Sequence, residues 1–348
     1  MMIESVKVLV TTIVAFLLAM AISTPVLRLI RRLNFKKQIR TSEDTPIFSK
    51  MHKGKEGTPT MGGIIIWGTV LIMAIAFALL HVFFDGFWGY LSFLNRSETY
   101  LPLAALIIAA GLGLIDDILG VLHIGPHGGG LGVRHKVIVY IFLSLIGAWW
   151  FFVKLDWHVL YIPFIGYYNI GWWYVPLFIF IVFASAFSAN ETDGLDGLLG
   201  GVSLFAFGAL AVIAFSRGMY DLSAMSGAIA GALLAFLWNN IYPAKFFMGD
   251  TGSMALGITL GITTMLTNSV FFLPFFGIIL VVESLSVLIQ IFSKKVFKRK
   301  VFLSAPIHHH FEALGWPESQ VTMRFWIISL VCTGFGLILY FLSTLYLR

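Results

Sequence analysis

The sequence predicts an all-α polytopic membrane protein of about ten transmembrane helices, with both termini on the outer face. Three observations carry this. The 348 residues are 59% hydrophobic and only 11% charged, where a soluble domain carries about 25% charged residues. Apolar runs recur along the whole chain, most of them long enough to cross about 30 Å of hydrocarbon. Lys and Arg are concentrated in alternate loops between those runs, which fixes an inside and an outside.

The first run, 6–27, is followed by Arg28, Arg31 and Arg32, while Glu4 and Lys7 cancel ahead of it. A secretory signal has the reverse charge order, so this run is read as a helix that stays in the membrane. The later runs are 62–82, 101–115, 137–153, 174–189, 198–215, 223–241, 254–267, 271–292 and 325–347. Two are short, which makes the count nine or ten. None has the ten-residue alternation of a barrel strand, so helix is the spanning element. Cys332, the single cysteine, excludes a disulfide within the chain and a cysteine-based metal site. With no linker and no internal repeat, 1–348 is read as one integral-membrane domain.

With the N-terminus outside, loops 28–61, 116–136, 190–197, 242–253 and 293–324 face the cytoplasm. They hold 18 of the 23 basic residues; the other side holds Lys7, Arg96, Lys154, Arg217 and Arg348. The positive-inside rule therefore places both ends outside and favours an even number of spans. Most of these cations serve as anchors to anionic lipid. They are not clustered on a soluble domain, so nucleic-acid binding is not indicated.

The acids follow the cations, which that rule does not require. Eleven of 17 Asp and Glu, and seven of nine His, fall on the cytoplasmic side. Many sit at span ends in glycine-containing turns: Asp116-Asp117, the turn 190–197 with Asp193 and Asp196, and Asp250 within 247–252. Acids at the C-terminal end of an inward-running helix meet its partial negative charge, so Asp116 and Asp117 call for a cation nearby. Asp193 and Asp196 share a face if helical, or shape a turn that caps the next helix. Asp250 is a candidate N-cap, but Gly249 and Gly252 beside it also suit close backbone approach to a ligand. One-sided acidic turns thus point to a cation-binding cleft open to the cytoplasm. Glu283 lies mid-span, where an acid is costly and serves either function or a pairing within the bundle.

Two more segments invite ligands. Residues 53–63 bring Lys53, Lys55, Thr58 and Thr60 together with glycines, which suits phosphate, although the P-loop pattern is absent. His308-His309-His310 is an internal run. Successive helical side chains diverge, so the three cannot share one metal from a helix. Oxygen-rich acidic turns suit Mg²⁺ or Mn²⁺ better than zinc, which leaves the imidazoles to anionic oxygens, with at least one of them satisfied within the core.

The stretch 55–63, the Asp116-Asp117 pair, the turn 190–197, the run 240–253 and the segment 305–312 occur in an order that resembles the phospho-N-acetylmuramoyl-pentapeptide transferase family. These are bacterial inner-membrane polyprenyl-phosphate N-acetylhexosamine-1-phosphate transferases. The resemblance covers nearly the whole chain. It implies ten spans with periplasmic termini, and a reaction of UDP-N-acetylmuramoyl-pentapeptide with undecaprenyl phosphate that gives lipid I and UMP. It implies Mg²⁺ as cofactor, held by Asp250 with Asp117, and it admits a homodimer. Asp116, Asp117, Asp250 and His309 are the implied catalytic residues. Asp116 and Asp117 would place the lipid phosphate, whose last proton has a pKa of about 6 by analogy with phosphorylated side chains, so a base at Asp116 is dispensable. The implied uridine pocket is Lys55, Thr60, Asn190, Asp193, Gly194, Leu195, Asp196, Asn240 and Phe247, with Phe247 stacking on the base and Asp196 accepting from its ring N–H. Gln290 and His309 would line the pyrophosphate region; His308, His310 and Lys136 complete the substrate-binding set.

The chain departs from the family pattern in places. Gly120 stands where a lysine is usual, so a cation contact to phosphate is lost or is supplied by His123, Arg134 or Lys136. Phe187, Glu191 and Ser304 stand for an Asn, an apolar residue and a Met, and 125–130 is an unusual glycine-rich insertion. Two rivals remain at this point. A transferase using UDP-N-acetylglucosamine shares the acidic turns but not residues 59–62 with the unbroken histidine run. An ion-coupled transporter would place its acids at mid-bilayer, where only Glu283 lies.

Overall fold

The computed structural model describes residues 2–33, 35, 57–84, 86–94, 97–126 and 129–347. Lys55 and most of loop 28–61 lie outside the described residues. The rest is dominated by α1 (Met2–Arg32), α2 (Ile64–Phe83), α3 (Ser97–Val121), α4 (Val133–Trp149), α5 (Tyr174–Thr192), α6 (Leu198–Ser216), α7 (Tyr220–Asn240), α8 (Asp250–Leu266), α9 (Ile278–Val296), α10 (Ile307–Ala313) and α11 (Glu318–Tyr346). Among the described residues, eight helices are long and apolar enough to span a bilayer. Two further pieces, Val270–Phe276 and Ile278–Val296, are together long and apolar enough but meet at 87°, as in a broken span or a re-entrant loop. The sequence run 271–292 reads as one straight helix. The structure breaks it at Gly277, which leaves helical geometry after the single turn Leu273–Phe276 that Pro274 begins.

The run expected at 254–267 is α8. Its 17 residues span only ~25 Å, but every residue from Thr251 to Leu266 is buried. It therefore packs inside protein rather than against lipid. Its neighbours reach it through small residues, as helix pairs in membranes do. A side-chain carbon added at Gly257 would lie 2.7 Å from Ala186 Cα of α5, and one at Gly261 2.8 Å from Val182 Cα. On α3, Gly113 has the Asp250 backbone directly against it. These contacts bring the ends of α3 and α5 to the first turn of α8.

Sequence periodicity gave no strand, yet Val159–Ile162 and Gly166–Asn169 form an antiparallel hairpin between α4 and α5. Asn268 holds it, accepting from the Tyr161 N–H at 2.9 Å and donating to the Val159 carbonyl at 3.0 Å. Near the start of α1, buried Lys7 donates to the Ser92 carbonyl at 2.7 Å and to Asp221 Oδ1 of α7 at 2.5 Å, over the ring of Tyr90. This pair clasps α1, the 87–94 segment and α7 together.

Candidate active site

The first turn of α8 organises one cluster. Both oxygens of Asp117 accept backbone N–H groups there, Asp250 at 3.0 Å and Thr251 at 3.0 Å. The C-terminal part of α3 thereby supplies an acidic cap to α8, where the helix dipole rewards it. The approach needs Gly249: its φ is +74°, and a Cβ there would lie 2.5 Å from Asp117 Oδ2 and 3.0 Å from Thr60 Oγ1. Thr60 is brought in by pairing of two extended segments, with Phe247 N–H donating to Pro59 O and Gly62 N–H to Phe247 O, both at 2.8 Å.

Asp250 turns its own carboxylate the other way. Oδ1 accepts from Asn190 Nδ2 at 2.5 Å, and Oδ2 pairs with Lys136 of α4. Lys136 also reaches Asp116 Oδ2 at 2.8 Å, while Asp116 Oδ1 takes the Leu131 N–H. One ammonium is thus shared by two carboxylates, with a third acid behind them. Of His123, Arg134 and Lys136, it is Lys136, from the helix that follows the glycine-rich insertion, whose ion pairs with Asp116 and Asp250 bring it into this cluster.

A second cluster is built on the turn after α5. Asp196 is buried; its Oδ2 accepts from the Ala244 N–H at 2.9 Å, and its N–H donates to Glu318 Oε1 at 2.7 Å. Asn240 accepts from Gly197 N–H at 3.0 Å and donates to Phe246 O at 2.8 Å. Thr322 and Trp326 of α11 bond the carbonyls of Asp196 and Gly197. Leu195 is buried, whereas Asp193, Gly194 and Phe247 are half-buried. Here Asp196 and Asn240 both hold backbone, and Asn190, Asp193, Gly194 and Phe247 are the half-buried members of the implied uridine pocket.

The three histidines do three things. His308 is buried and its Nδ1 lies 2.9 Å from Glu283 Oε2. Burial alone would pull this imidazole down, but the Glu283 carboxylate outweighs it and holds it above the ordinary histidine value. His309 Nδ1 lies 2.6 Å from Glu312 Oε2, and His310 Nδ1 accepts from the Leu303 N–H at 3.2 Å. Gln290 spends both ends of its amide on the loop that follows α9. It accepts from Val301 and Phe302 at 3.0 Å each and donates to Phe302 O at 2.8 Å. It positions that loop.

The structure therefore joins Thr60, Asp116, Asp117, Lys136, Asn190 and Asp250, and sets Asp196 with Asn240, and His308 with Gly194, around the adjoining turn. Sequence reasoning missed Glu318, Thr322 and Trp326. Their nearest signal is Pro317 before α11, and nothing local links them to a turn some 120 positions earlier. The donor set suits a hard divalent cation. Asp116 and Asp250 offer oxygens on either side of one cation already, while Asp117 behind them spends its oxygens on the α8 backbone. Mg²⁺ is typically held by one or two carboxylates plus water and substrate phosphate. Among the described residues no cage of three or more His, Cys, Asp or Glu exists.

Comparison with known proteins matches this sequence to a family. The glycosyl transferase family 4 model covers residues 99–268, and the phospho-N-acetylmuramoyl-pentapeptide-transferase signature 1 covers 55–66. The chain is 38% identical over 341 residues to the phospho-N-acetylmuramoyl-pentapeptide-transferase of Geobacillus sp. (strain WCH70), covering 97% of this chain and 98% of the relative. Proteins of the same name from Chloroflexus aurantiacus (strain ATCC 29366 / DSM 635 / J-10-fl), 37% identical over 93% of this chain and 86% of theirs, and from Borrelia garinii subsp. bavariensis, 36% identical over 92% and 91%, agree. The acidic turns, the 55–66 stretch and full-length similarity together place this chain in the phospho-N-acetylmuramoyl-pentapeptide transferase family.

Proposed function

We propose that this protein transfers phospho-N-acetylmuramoyl-pentapeptide from its UDP-linked form to undecaprenyl phosphate, giving lipid I and UMP for peptidoglycan synthesis. An oxygen of the lipid phosphate bonds to the sugar-bearing phosphorus, and the bond from that phosphorus to the UMP oxygen breaks. One pyrophosphate is exchanged for another, so no nucleotide triphosphate is required. The carrying observation is the Asp116–Lys136–Asp250 group with Asn190, drawn from four different helices to one point.

Phosphoryl transfer depends on positioning and charge stabilisation more than on covalent help from the protein. In this reading Asp250, held by Asn190, and Asp116 are the residues that would hold Mg²⁺. When bound, the ion neutralises charge on the pyrophosphate and the leaving UMP. Asp117 serves this arrangement by capping α8, which fixes where Asp250 points. Lys136 contacts phosphate oxygens, and the turn 193–196 with Phe247 receives the uridine. The site opens to the cytoplasm from the bacterial inner membrane, where the lipid phosphate and the soluble nucleotide meet; the basic loops support this orientation.

The test is UMP release by the purified protein in detergent with both substrates. Lipid-linked product from the muramoyl-pentapeptide nucleotide is expected. Product from UDP-N-acetylglucosamine alone would move the protein to the other sugar branch.

A further inference from the structure

Glu283 is fully buried in α9, and its carboxylate has one neighbour of consequence. Oε2 meets His308 Nδ1 at 2.9 Å. Its Oε1 and His308 Nε2 are both buried without a hydrogen-bond partner. The far edge of the His308 ring lies against Gly194: a Cβ there would overlap Nε2 and lie 2.7 Å from Cε1. Gly194 is flanked by Asp193 and Leu195 in the turn that follows α5. The helix bearing Glu283 is also pinned to α5 just ahead of that turn, where Ser188 donates to Ser284 at 2.8 Å. Glu191 and Glu312 add negative charge around the same imidazole.

We propose that Glu283 is a positioning residue for the nucleotide half of the site: it seats the His308 imidazole against Gly194 and so sets the backbone of the turn 193–196. The inference rests on the transferase reading above. Stability alone does not account for the pair. A buried ion pair is often no better than well-packed apolar residues of the same volume, and this one leaves two polar atoms unsatisfied. The geometry instead transmits the position of α9, through one ring, to one glycine of the turn.

The test uses the full-length protein in detergent and two readouts, UMP affinity by calorimetry and KM for the lipid phosphate. Glu283→Gln keeps the shape and an acceptor but removes the charge. It should weaken UMP binding about tenfold, the scale of one charge-assisted hydrogen bond, with the lipid-phosphate KM within about twofold. Unchanged UMP affinity, or equal weakening toward both ligands, overturns the proposal. Should Glu283→Gln fail to fold, Gly194→Ala attacks the contact from the other side. It should give the same one-sided loss, and UMP binding as tight as in the unmodified chain overturns the proposal. Absence of UMP binding by the unmodified chain would remove the transferase reading itself, whereas UMP binding indifferent to both substitutions removes only the role of Glu283.

Discussion

Two lysines are held near opposite ends of the helix bundle, and they are held differently. Lys7 meets one carboxylate, Asp221, and one carbonyl, Ser92. Charge is balanced and both side chains are covered, at 3% and 15% exposure. Lys136 meets two carboxylates, with Asp117 immediately behind, and the Asp250 side chain keeps 20% of its surface open. The first arrangement is closed. The second carries surplus negative charge at an accessible point, which is costly for a fold and useful for binding a cation with phosphates. Charge balance, rather than burial, separates the clasp from the site.

That contrast can be broken most directly at Asp250. Asp250→Ala should lower UMP release by at least about 100-fold, the scale for losing one preorganised charge-stabilising group, with the thermal midpoint in detergent little changed. Turnover at the unmodified rate would remove Asp250 from the chemistry. At the other end, Lys7→Met should leave kcat per folded molecule intact and destabilise by about 3–5 kcal/mol, because Asp221 is left buried without its partner. Replacing both, Lys7→Met with Asp221→Leu, should recover much of that loss in a thermal melt. A fall in kcat per folded molecule for Lys7→Met would contradict the purely structural reading of the clasp.

A smaller effect is expected at Gly249. Alanine there enters a positive-φ, extended-ψ conformation that essentially only glycine adopts and that costs an L-residue about 1–3 kcal/mol, and its Cβ would crowd Asp117 Oδ2. Gly249→Ala should therefore lower both the melting midpoint and kcat, since the cap and the direction of Asp250 move together. A drop in stability with kcat unchanged would separate the cap from the chemistry.

The same contrast explains what was legible in the sequence. All ten apolar runs correspond to helical segments, because hydrophobic length is a local signal. The 87° break was half visible, in Pro274 and Gly277, but a proline in a membrane helix can be absorbed as easily as it can end one. The hairpin 159–169 was invisible, since it is held by Asn268 from a distant loop. At the site, residue types and motifs drew attention to Asp116, Asp117, Asn190 and Asp250. Their division of labour was not readable: whether an acid caps a helix or faces a lysine depends on which neighbour arrives. The run His308-His309-His310 looks like one device in sequence and is three in space, because consecutive side chains on a helix leave in different directions.

The smallest effect concerns pH, and it should move only one end of the molecule. The Lys7 clasp contains no histidine, whereas His308 lies beneath the turn 193–196 against Glu283. Its imidazole is raised above the ordinary histidine value, the carboxylate outweighing burial. A group raised by folding contributes stability that is complete below the unfolded pKa, about 6.5 for histidine, and is lost as pH rises through the folded value. The difference in melting midpoint between the unmodified protein and His308→Gln should then be largest on the acid side of neutrality and shrink as pH increases. The corresponding difference for Lys7→Met should stay level over the same range. A His308 contribution that grows with pH would mean that the imidazole is neutral in the fold, and that Glu283 holds it by shape rather than by charge.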